Sequence, residues 1–298
     1  MITYRYGEPE ASTVLIQPVD EHDLSGIENE LQYIRELTDK PFCLIAVKVE
    51  DWNRDLSPWA APAVFGNEGF GDGAEDTLRE IMTLIDDREK TYLLGGYSLA
   101  GLFALWAVFQ TDVFSGAAAA SPSMWFPGFL DYMREHSCRC GAVYLSLGDK
   151  EAKTRNHVMS TVEAGTREGY ELLKVNGTET TLEWNKGNHF KEPDLRTARA
   201  FAWVIQNGLP GARIKRITEM EVRLNRVKSW LRNKSGDVFE DICILDKYYH
   251  SPLWMSDFVA DEAGNLPADL PRGVLSEDGI DNVLEAKALA LDVSDDEQ

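Results

Sequence analysis

The residues best suited to chemistry in this sequence surround a serine. Residues 92–101 read YLLGGYSLAG, and an apolar run follows Ser98 directly. A nucleophilic serine on a sharp strand-to-helix turn requires small residues two positions before it and two positions after it, and Gly96 and Ala100 meet that requirement. In such a turn the amide of Leu99 is available to bind an oxyanion at the helix N-terminus. A simple N-cap at Ser98 would leave the flanking small residues unexplained, so the pattern favours a nucleophile.

A nucleophilic serine needs a base, and the base needs a group that orients it. His189 lies in a glycine- and asparagine-rich loop, WNKGNHF, between a predicted strand and a predicted helix. Two carboxylates, Asp149 and Glu151, follow the strand predicted over Ala142–Leu147. The chain order serine, acid, histidine, each on a loop after a strand, is typical of one class of hydrolase triad. From the residues alone either carboxylate is a candidate for the orienting acid.

The elements that must position these residues alternate between strand and helix. Apolar runs rich in β-branched or small residues predict strands, and apolar residues at helical spacing predict helices between them. The strands are predicted at Val14–Gln17, Phe42–Val49, Tyr92–Gly96, Gly116–Ala120, Ala142–Leu147 and Thr180–Trp184; the helices at Ile27–Leu37, Thr77–Ile85, Leu99–Phe109, Phe129–His136, Val158–Tyr170 and Thr197–Gln206. This alternation predicts an α/β fold with a mostly parallel sheet that is covered on both faces.

The alternation of strand and helix patterns ends at the glycine- and proline-rich residues 208–211, GLPG, which predicts a domain boundary. We expect one domain over residues 1–210 and a small, mainly helical accessory domain over residues 211–298. An amphipathic helix is predicted over Arg213–Lys234, which holds eight Lys/Arg and two Asp/Glu, whereas residues 235–298 hold three Lys/Arg and sixteen Asp/Glu. This opposite charge suggests that the two parts face each other or a common partner.

Composition excludes several classes of function. The 298 residues carry 30 Lys+Arg against 50 Asp+Glu, a net charge of −20, which disfavours binding to nucleic acid or to an anionic membrane surface. No apolar run has the length of a membrane span, and the first residues lack the features of a signal peptide, so we expect a cytoplasmic protein. The four cysteines are interpreted as reduced thiols, and no metal site or cofactor is predicted.

Four stretches of residues 12–207 resemble one branch of the α/β-hydrolases, which includes esterase D, the ferulate esterases and the enterobactin-type siderophore esterases. They are GGYSLAG around Ser98, ASPSMWF at 120–126, SLGDKE at 146–151 and GNHF ending at Phe190. In this branch the acid usually stands three residues after the glycine that ends its strand. The resemblance therefore favours Glu151, counted from Gly148, over Asp149.

The resemblance also implies where the rest of the site lies. The second oxyanion donor is a backbone amide after the strand Phe42–Val49, and among Asp51, Trp52 and Asn53 we favour Trp52. Arg54 is a candidate for recognising an anionic group on the substrate, or is a surface charge paired with a neighbouring aspartate. Aromatic residues are candidates for lining an acyl or alcohol pocket, or else pack in the core: Trp59, Phe65, Phe70, Tyr97, Trp125 and Phe126.

Residues 214–291 resemble a different, small bacterial family of unknown function. The resemblance lies in the stretch YYHSPLWMSDFVADE and in the motif RGVLSED that ends at Asp278. Its acidic residues Asp261, Glu262, Glu277 and Asp278 either gather at a cation site or cap the last helix and stay solvated, and we favour the second. A homo-oligomer or a protein partner bound through this part is a further possibility.

Together these patterns predict a serine hydrolase that cleaves a small-molecule carboxylic ester through an acyl-enzyme. The alternatives are an acyltransferase of the same fold, in which an alcohol replaces water, and a catalytically inactive hydrolase fold that serves as a binding protein. The presence of a candidate nucleophile, base and acid, namely Ser98, His189 and Glu151 or Asp149, argues against the inactive alternative.

Overall fold

A computed structural model describes residues 1–87, 89–208, 211–262, 264 and 266–295. The chain divides into two compact units, Met1–Pro210 and Gly211–Gln298.

The described residues of the first unit form a seven-stranded sheet in the order β1-β3-β2-β4-β5-β6-β7. Its strands are β1 (Ile2–Gly7), β2 (Thr13–Val19), β3 (Cys43–Lys48), β4 (Thr91–Tyr97), β5 (Phe114–Ala120), β6 (Ala142–Gly148) and β7 (Glu179–Asn185). Strand β1 is antiparallel to β3, and all other neighbours are parallel. The predicted fold class, a mostly parallel α/β sheet, is confirmed.

Helices cover both faces of this sheet. They are α1 (Glu21–Leu37), α2 (Trp52–Asp55), α3 (Ala74–Met82), α4 (Leu99–Gln110), α5 (Phe129–Glu135), α6 (Val162–Val175) and α7 (Pro193–Asn207). Helices α1 and α7 contribute to the buried cluster on one face, and α3, α4, α5 and α6 contribute to the cluster on the other. In strands β2 to β6, alternate side chains enter the two clusters, as the period of a strand requires. Helix α4 is apolar and buried from Leu99 to Phe109, as its sequence predicts.

The predicted strands and helices of the first unit are present with ends displaced by a few residues. Helix α1 begins at Glu21 rather than Ile27, because Asp20 and Asp23 form a reciprocal capping box. Strand β1 was not predicted from the sequence. It is a mostly exposed edge strand that pairs only with β3, so its sequence carries little hydrophobic pattern.

The second unit is helical. It contains α8 (Ala212–Asn233), α9 (Phe239–Tyr249), α10 (Pro252–Glu262) and α11 (Glu277–Asp295), with a short 3₁₀ turn at Gly273–Leu275. The apolar face of α8 is buried within this unit, against residues of α9 and α11. A buried polar group lies inside it: Asp257 accepts hydrogen bonds from Arg216 at 2.6 and 2.9 Å and from the Tyr248 hydroxyl at 2.7 Å.

The acidic residues of the second unit do not form a cation site among the described residues. Asp261 pairs with Arg272 at 2.5 Å. The Ser276 hydroxyl accepts from the amide of Gly279 at the start of α11, which is the capping geometry. No group of three or more His, Cys, Asp or Glu side chains that could hold a metal ion occurs in the part of the chain that the structure describes. Within the same residues, no helix has the length and apolar character needed to span a membrane.

Candidate active site

A strained turn between β4 and α4 presents Ser98. Its backbone has φ 57° and ψ −117°, a left-handed conformation that is costly for a residue with a side chain. The turn is possible because its neighbours are small: a Cβ on Gly96 would lie 2.6 Å from the Cβ of Ala100, and a Cβ on Gly101 would lie 3.0 Å from the Gly96 carbonyl. The small residues around Ser98 therefore have the steric role that the motif predicts.

The hydroxyl of Ser98 lies beside the imidazole of His189. The distance from Ser98 Oγ to His189 Nε2 is 2.9 Å, and His189 Nδ1 lies 2.7 Å from Glu151 Oε2. With the proton on Nδ1, His189 donates to Glu151 and its Nε2 accepts from Ser98. This tautomer leaves Nε2 able to take the serine proton, so the geometry suits an attack by Ser98 on a carbonyl carbon.

The other carboxylate oxygen of Glu151 also accepts hydrogen bonds. Its side chain is 3% exposed, and its Oε1 accepts from the Gly148 amide at 2.7 Å, the Ser121 hydroxyl at 2.9 Å and Arg196 Nη1 at 3.0 Å. Burial acts to raise the pKa of Glu151, but the hydrogen bond and charge of His189 and the hydrogen bonds from Gly148 and Ser121 outweigh it and hold this pKa below its ordinary value. A carboxylate that stays ionised at this position can stabilise an imidazolium.

Asp149, the other candidate acid, lies elsewhere. It is exposed, and its Oδ1 accepts from the Gly187 amide at 2.8 Å. This backbone hydrogen bond is the main reason why the pKa of Asp149 is lowered. The structure thus brings Glu151 to the imidazole of His189 and Asp149 to the backbone of the loop that carries it.

Three backbone amides remain candidates for an oxyanion hole: Leu99 as one donor, and Trp52 or Asn53 as the other. Leu99 and Trp52 are the first residues of α4 and α2, so neither N–H has an acceptor within its own helix. The neighbouring Asp51 amide donates to Asp55 Oδ2 at 2.9 Å and is therefore engaged. Trp52 and Asn53 thus stay open as the second donor.

A cavity of about 350 Å³ opens onto Ser98, Glu151 and His189. Its wall is mostly apolar and is formed by Phe65, Pro122, Trp125, Met159, Val162 and Phe190, together with Ser121. Of the aromatic residues predicted from the sequence, Trp125 and Phe65 lie in this wall. Met159, Val162 and Phe190 were not predicted, although Phe190 directly follows the histidine; this residue is 85% exposed.

The other predicted pocket residues lie outside this wall. Phe126 is buried and packs against Trp59 and Phe70, which is the packing role that the sequence left open. Arg54 is exposed, pairs with Asp55 at 2.8 Å and lines a separate surface depression.

Tyr97 lies behind the histidine loop. Its hydroxyl donates to the carbonyl of His189 at 2.7 Å. Burial and the charge of Glu151 raise the pKa of Tyr97 to about 12, so the phenol keeps the proton that it donates. Tyr97 therefore supports the loop rather than lining the cavity wall.

Sequence reasoning missed two residues that contact Glu151, namely Ser121 and Arg196. Ser121 has φ 41° at the end of β5, which aims its hydroxyl at the carboxylate. Arg196 lies on α7 four residues before the buried Ala200. The helix predicted from the sequence begins at Thr197, one residue too late to include it. With the helix begun at Pro193, as observed, a charged residue four positions before Ala200 on the apolar face is the signal that would have singled out Arg196.

The comparisons with known proteins concern a C-terminal family model and the fold. Residues 217–293 match the family model described as "Domain of unknown function (DUF4298)", which confirms the resemblance seen over residues 214–291. The comparison with curated proteins found no match.

Two solved structures are similar to this chain in fold. The IroE-like serine hydrolase from Shewanella oneidensis superposes with a TM-score of 0.54 at 13% identity, covering 88% of this chain and 94% of its own. The siderophore hydrolase EstA from Aspergillus nidulans superposes with a TM-score of 0.51 at 18% identity, covering 66% of this chain and 84% of its own. The chain therefore combines an α/β-hydrolase fold with a C-terminal segment that matches a family of unknown function.

Proposed function

We propose that this protein is a serine esterase that hydrolyses a small-molecule carboxylic ester through an acyl-enzyme. The observation that carries the proposal is the continuous series of hydrogen bonds from Ser98 through His189 to Glu151, in which the serine occupies a strained turn at the mouth of a cavity. Both solved structures named above are of hydrolases, which is in keeping with it.

In the proposed reaction His189 Nε2 takes the proton of Ser98 as its oxygen attacks the ester carbonyl. The oxyanion is bound by the amide of Leu99 and by a second amide, for which we favour Trp52 over Asn53. The protonated His189, stabilised by Glu151, gives its proton to the leaving alcohol, and an acyl-serine remains. A water molecule, deprotonated by His189, then attacks the acyl group, and the carboxylic acid leaves as Ser98 regains its proton.

The cavity wall suggests which esters fit. Six of its described lining residues are apolar, and no Lys or Arg is among them. An apolar or aromatic acyl group would remove this surface from water, whereas an anionic group would find no cationic partner there. We therefore propose an uncharged ester with an apolar part next to the scissile bond as the substrate class.

Labelling with a fluorophosphonate probe tests the proposal. We expect the wild-type protein to react and to hydrolyse p-nitrophenyl esters, with longer acyl chains preferred to acetate. Ser98→Ala should abolish both labelling and hydrolysis, with a loss of at least about 10³-fold in kcat.

Ser123→Ala is the matched control, because the Ser123 hydroxyl lies 3.4 Å from that of Ser98 in the same site. It should keep the labelling, and mass spectrometry should place the probe on Ser98. If Ser98→Ala keeps more than a few per cent of the activity, the nucleophile is misassigned; a wild-type protein that neither reacts nor hydrolyses esters refutes the proposed function.

A further inference from the structure

Arg196 is among the largest fully buried side chains of the described residues, with 1% of its surface exposed, and it carries a positive charge. Removing a guanidinium from water is unfavourable unless its N–H groups find acceptors and an anion lies nearby. The partners that meet this requirement show what holds the residue in place.

The two terminal nitrogens of Arg196 bind different parts of the site. Nη1 donates to Glu151 Oε1 at 3.0 Å and to the Tyr97 hydroxyl at 3.1 Å. Nη2 donates to the carbonyls of Lys186 at 3.3 Å and Asn188 at 3.1 Å. One nitrogen therefore contacts the carboxylate, and the other contacts the backbone of the loop that ends at the histidine.

These contacts connect both partners of the hydrogen bond between His189 and Glu151 to one rigid group. A guanidinium is planar and presents its N–H donors in a fixed fork. Tyr97 extends the connection, since its hydroxyl accepts from Arg196 and donates to the carbonyl of His189. A displacement of the loop relative to the acid would break several of these bonds together.

We propose that Arg196 is a positioning residue that sets the alignment of His189 with Glu151, and that it acts on the reaction through Glu151. The inference rests on the proposed function. A lysine at this position keeps the charge, but its single ammonium lacks the planar fork that spans the acid and the loop.

Arg199 provides a matched comparison on the same helix. It also pairs with a carboxylate, Glu183 at 2.9 Å, and contacts Asn185 at 3.2 Å, but its side chain is 39% exposed and it contacts neither Glu151 nor residues 186–189 in the hydrogen bonds described. Arg199→Met removes an arginine and an ion pair from α7 without touching the proposed triad.

A double-mutant cycle on the full chain tests the proposal, with kcat and KM measured for a p-nitrophenyl ester. Arg196→Met should lower kcat by about 100-fold with KM changed less than about threefold, because misalignment affects the reacting groups and not the cavity. Arg196→Lys should recover part of that loss. In a Glu151→Gln background Arg196→Met should lower kcat by less than about threefold, because the partner through which it acts is already removed. Arg199→Met should keep the wild-type kcat.

The cycle remains informative if a buried charge without its partner unfolds the protein. The double variant Arg196→Met, Glu151→Gln removes both charges, and thermal unfolding of each variant shows which proteins are folded. Additive losses of kcat in the two backgrounds, or a wild-type kcat in Arg196→Lys and in folded Arg196→Met, overturn the positioning role.

The wild-type protein separates the two proposals. If it hydrolyses the ester and reacts with fluorophosphonate but the cycle is additive, the inference about Arg196 fails and the proposed function stands. If it does neither, the proposed function fails first, and the inference fails with it.

Discussion

Replacing Glu151 by glutamine removes a charge from the proposed triad while keeping the size of the side chain. The carboxylate accepts hydrogen bonds on both oxygens, from His189 on one and from Gly148, Ser121 and Arg196 on the other. A glutamine has one oxygen and one NH₂ group. In either orientation its NH₂ faces donors, so at least one hydrogen bond is lost or the His189 tautomer is reversed.

The expected loss of kcat follows from this arrangement. Removing the charge of a fully effective triad acid costs about 10⁴ in kcat. We expect about 10³ here, or ~4 kcal/mol at ~1.4 kcal/mol for each tenfold change, because Arg196 already offsets part of the charge that Glu151 presents to His189. The variant also leaves Arg196 without its anion, which should lower the free energy of unfolding by about 3–5 kcal/mol.

Asp149→Asn is the matched control for this prediction. Asp149 is exposed and accepts one hydrogen bond from the Gly187 amide, and the side-chain oxygen of asparagine can accept the same bond. The change from a charged to a neutral acceptor costs about 1 kcal/mol at most, so kcat should stay within about fivefold of the wild-type value.

The assay is the saturating rate of p-nitrophenyl ester hydrolysis for both variants at a temperature where thermal unfolding shows them folded. A larger loss of kcat in Asp149→Asn than in Glu151→Gln would assign the acid to Asp149 and refute the reasoning from geometry. A small loss in both variants would show that His189 works without an acid.

Three further predictions concern stability and domain organisation. Burial raises the pKa of Glu30 to about 8. Between its ordinary pKa of ~4.3 and this value, the folded protein keeps a proton on Glu30 that the unfolded chain releases. The free energy of unfolding should therefore fall by up to ~1.4 kcal/mol per pH unit as the pH rises towards 8, and then level off. Glu30→Gln should flatten this slope in urea unfolding between pH 5 and pH 8, and an unchanged slope would contradict the shift. Gly96→Ala should lower the melting temperature and the activity, because the new Cβ would lie 2.6 Å from that of Ala100. Gly26→Ala is the control: it lies in helix α1 with nothing within 4 Å of the new Cβ, so it should raise stability by about 0.5–1 kcal/mol. Equal effects of the two changes would exclude the steric explanation. Residues 1–210 expressed alone should be soluble and hydrolyse simple esters, since every proposed catalytic residue lies within them; an insoluble or inactive fragment would make the C-terminal part necessary to the enzyme.

Local patterns predicted the elements that carry the site. Buried strands and helices have hydrophobic periods that can be read over about ten residues, and these periods predicted every strand of the sheet except β1. Strand β1 was missed because it lies at an exposed edge and has little hydrophobic pattern. The turn at Ser98 was predictable for the same reason: the clash that forbids larger residues at Gly96 and Ala100 involves neighbours four residues apart. The loop of His189 was found from its composition and its place in the chain order.

Which side chains of the site contact each other depends on the packing of segments that are far apart in the sequence. Glu151 meets a histidine 38 positions later and an arginine 45 positions later, so their arrangement requires β6, β7 and α7 to be in place. The Glu151 amide donates to the Gly148 carbonyl, and this turn after β6 directs Glu151 inward, while the carboxylate of Asp149 meets the Gly187 amide outside. Chain order identified two acids on one loop, and the resemblance favoured Glu151 of the two. The contacts themselves depend on packing: Glu151 reaches the imidazole because its loop packs against α7, where the buried cation of Arg196 binds the same carboxylate.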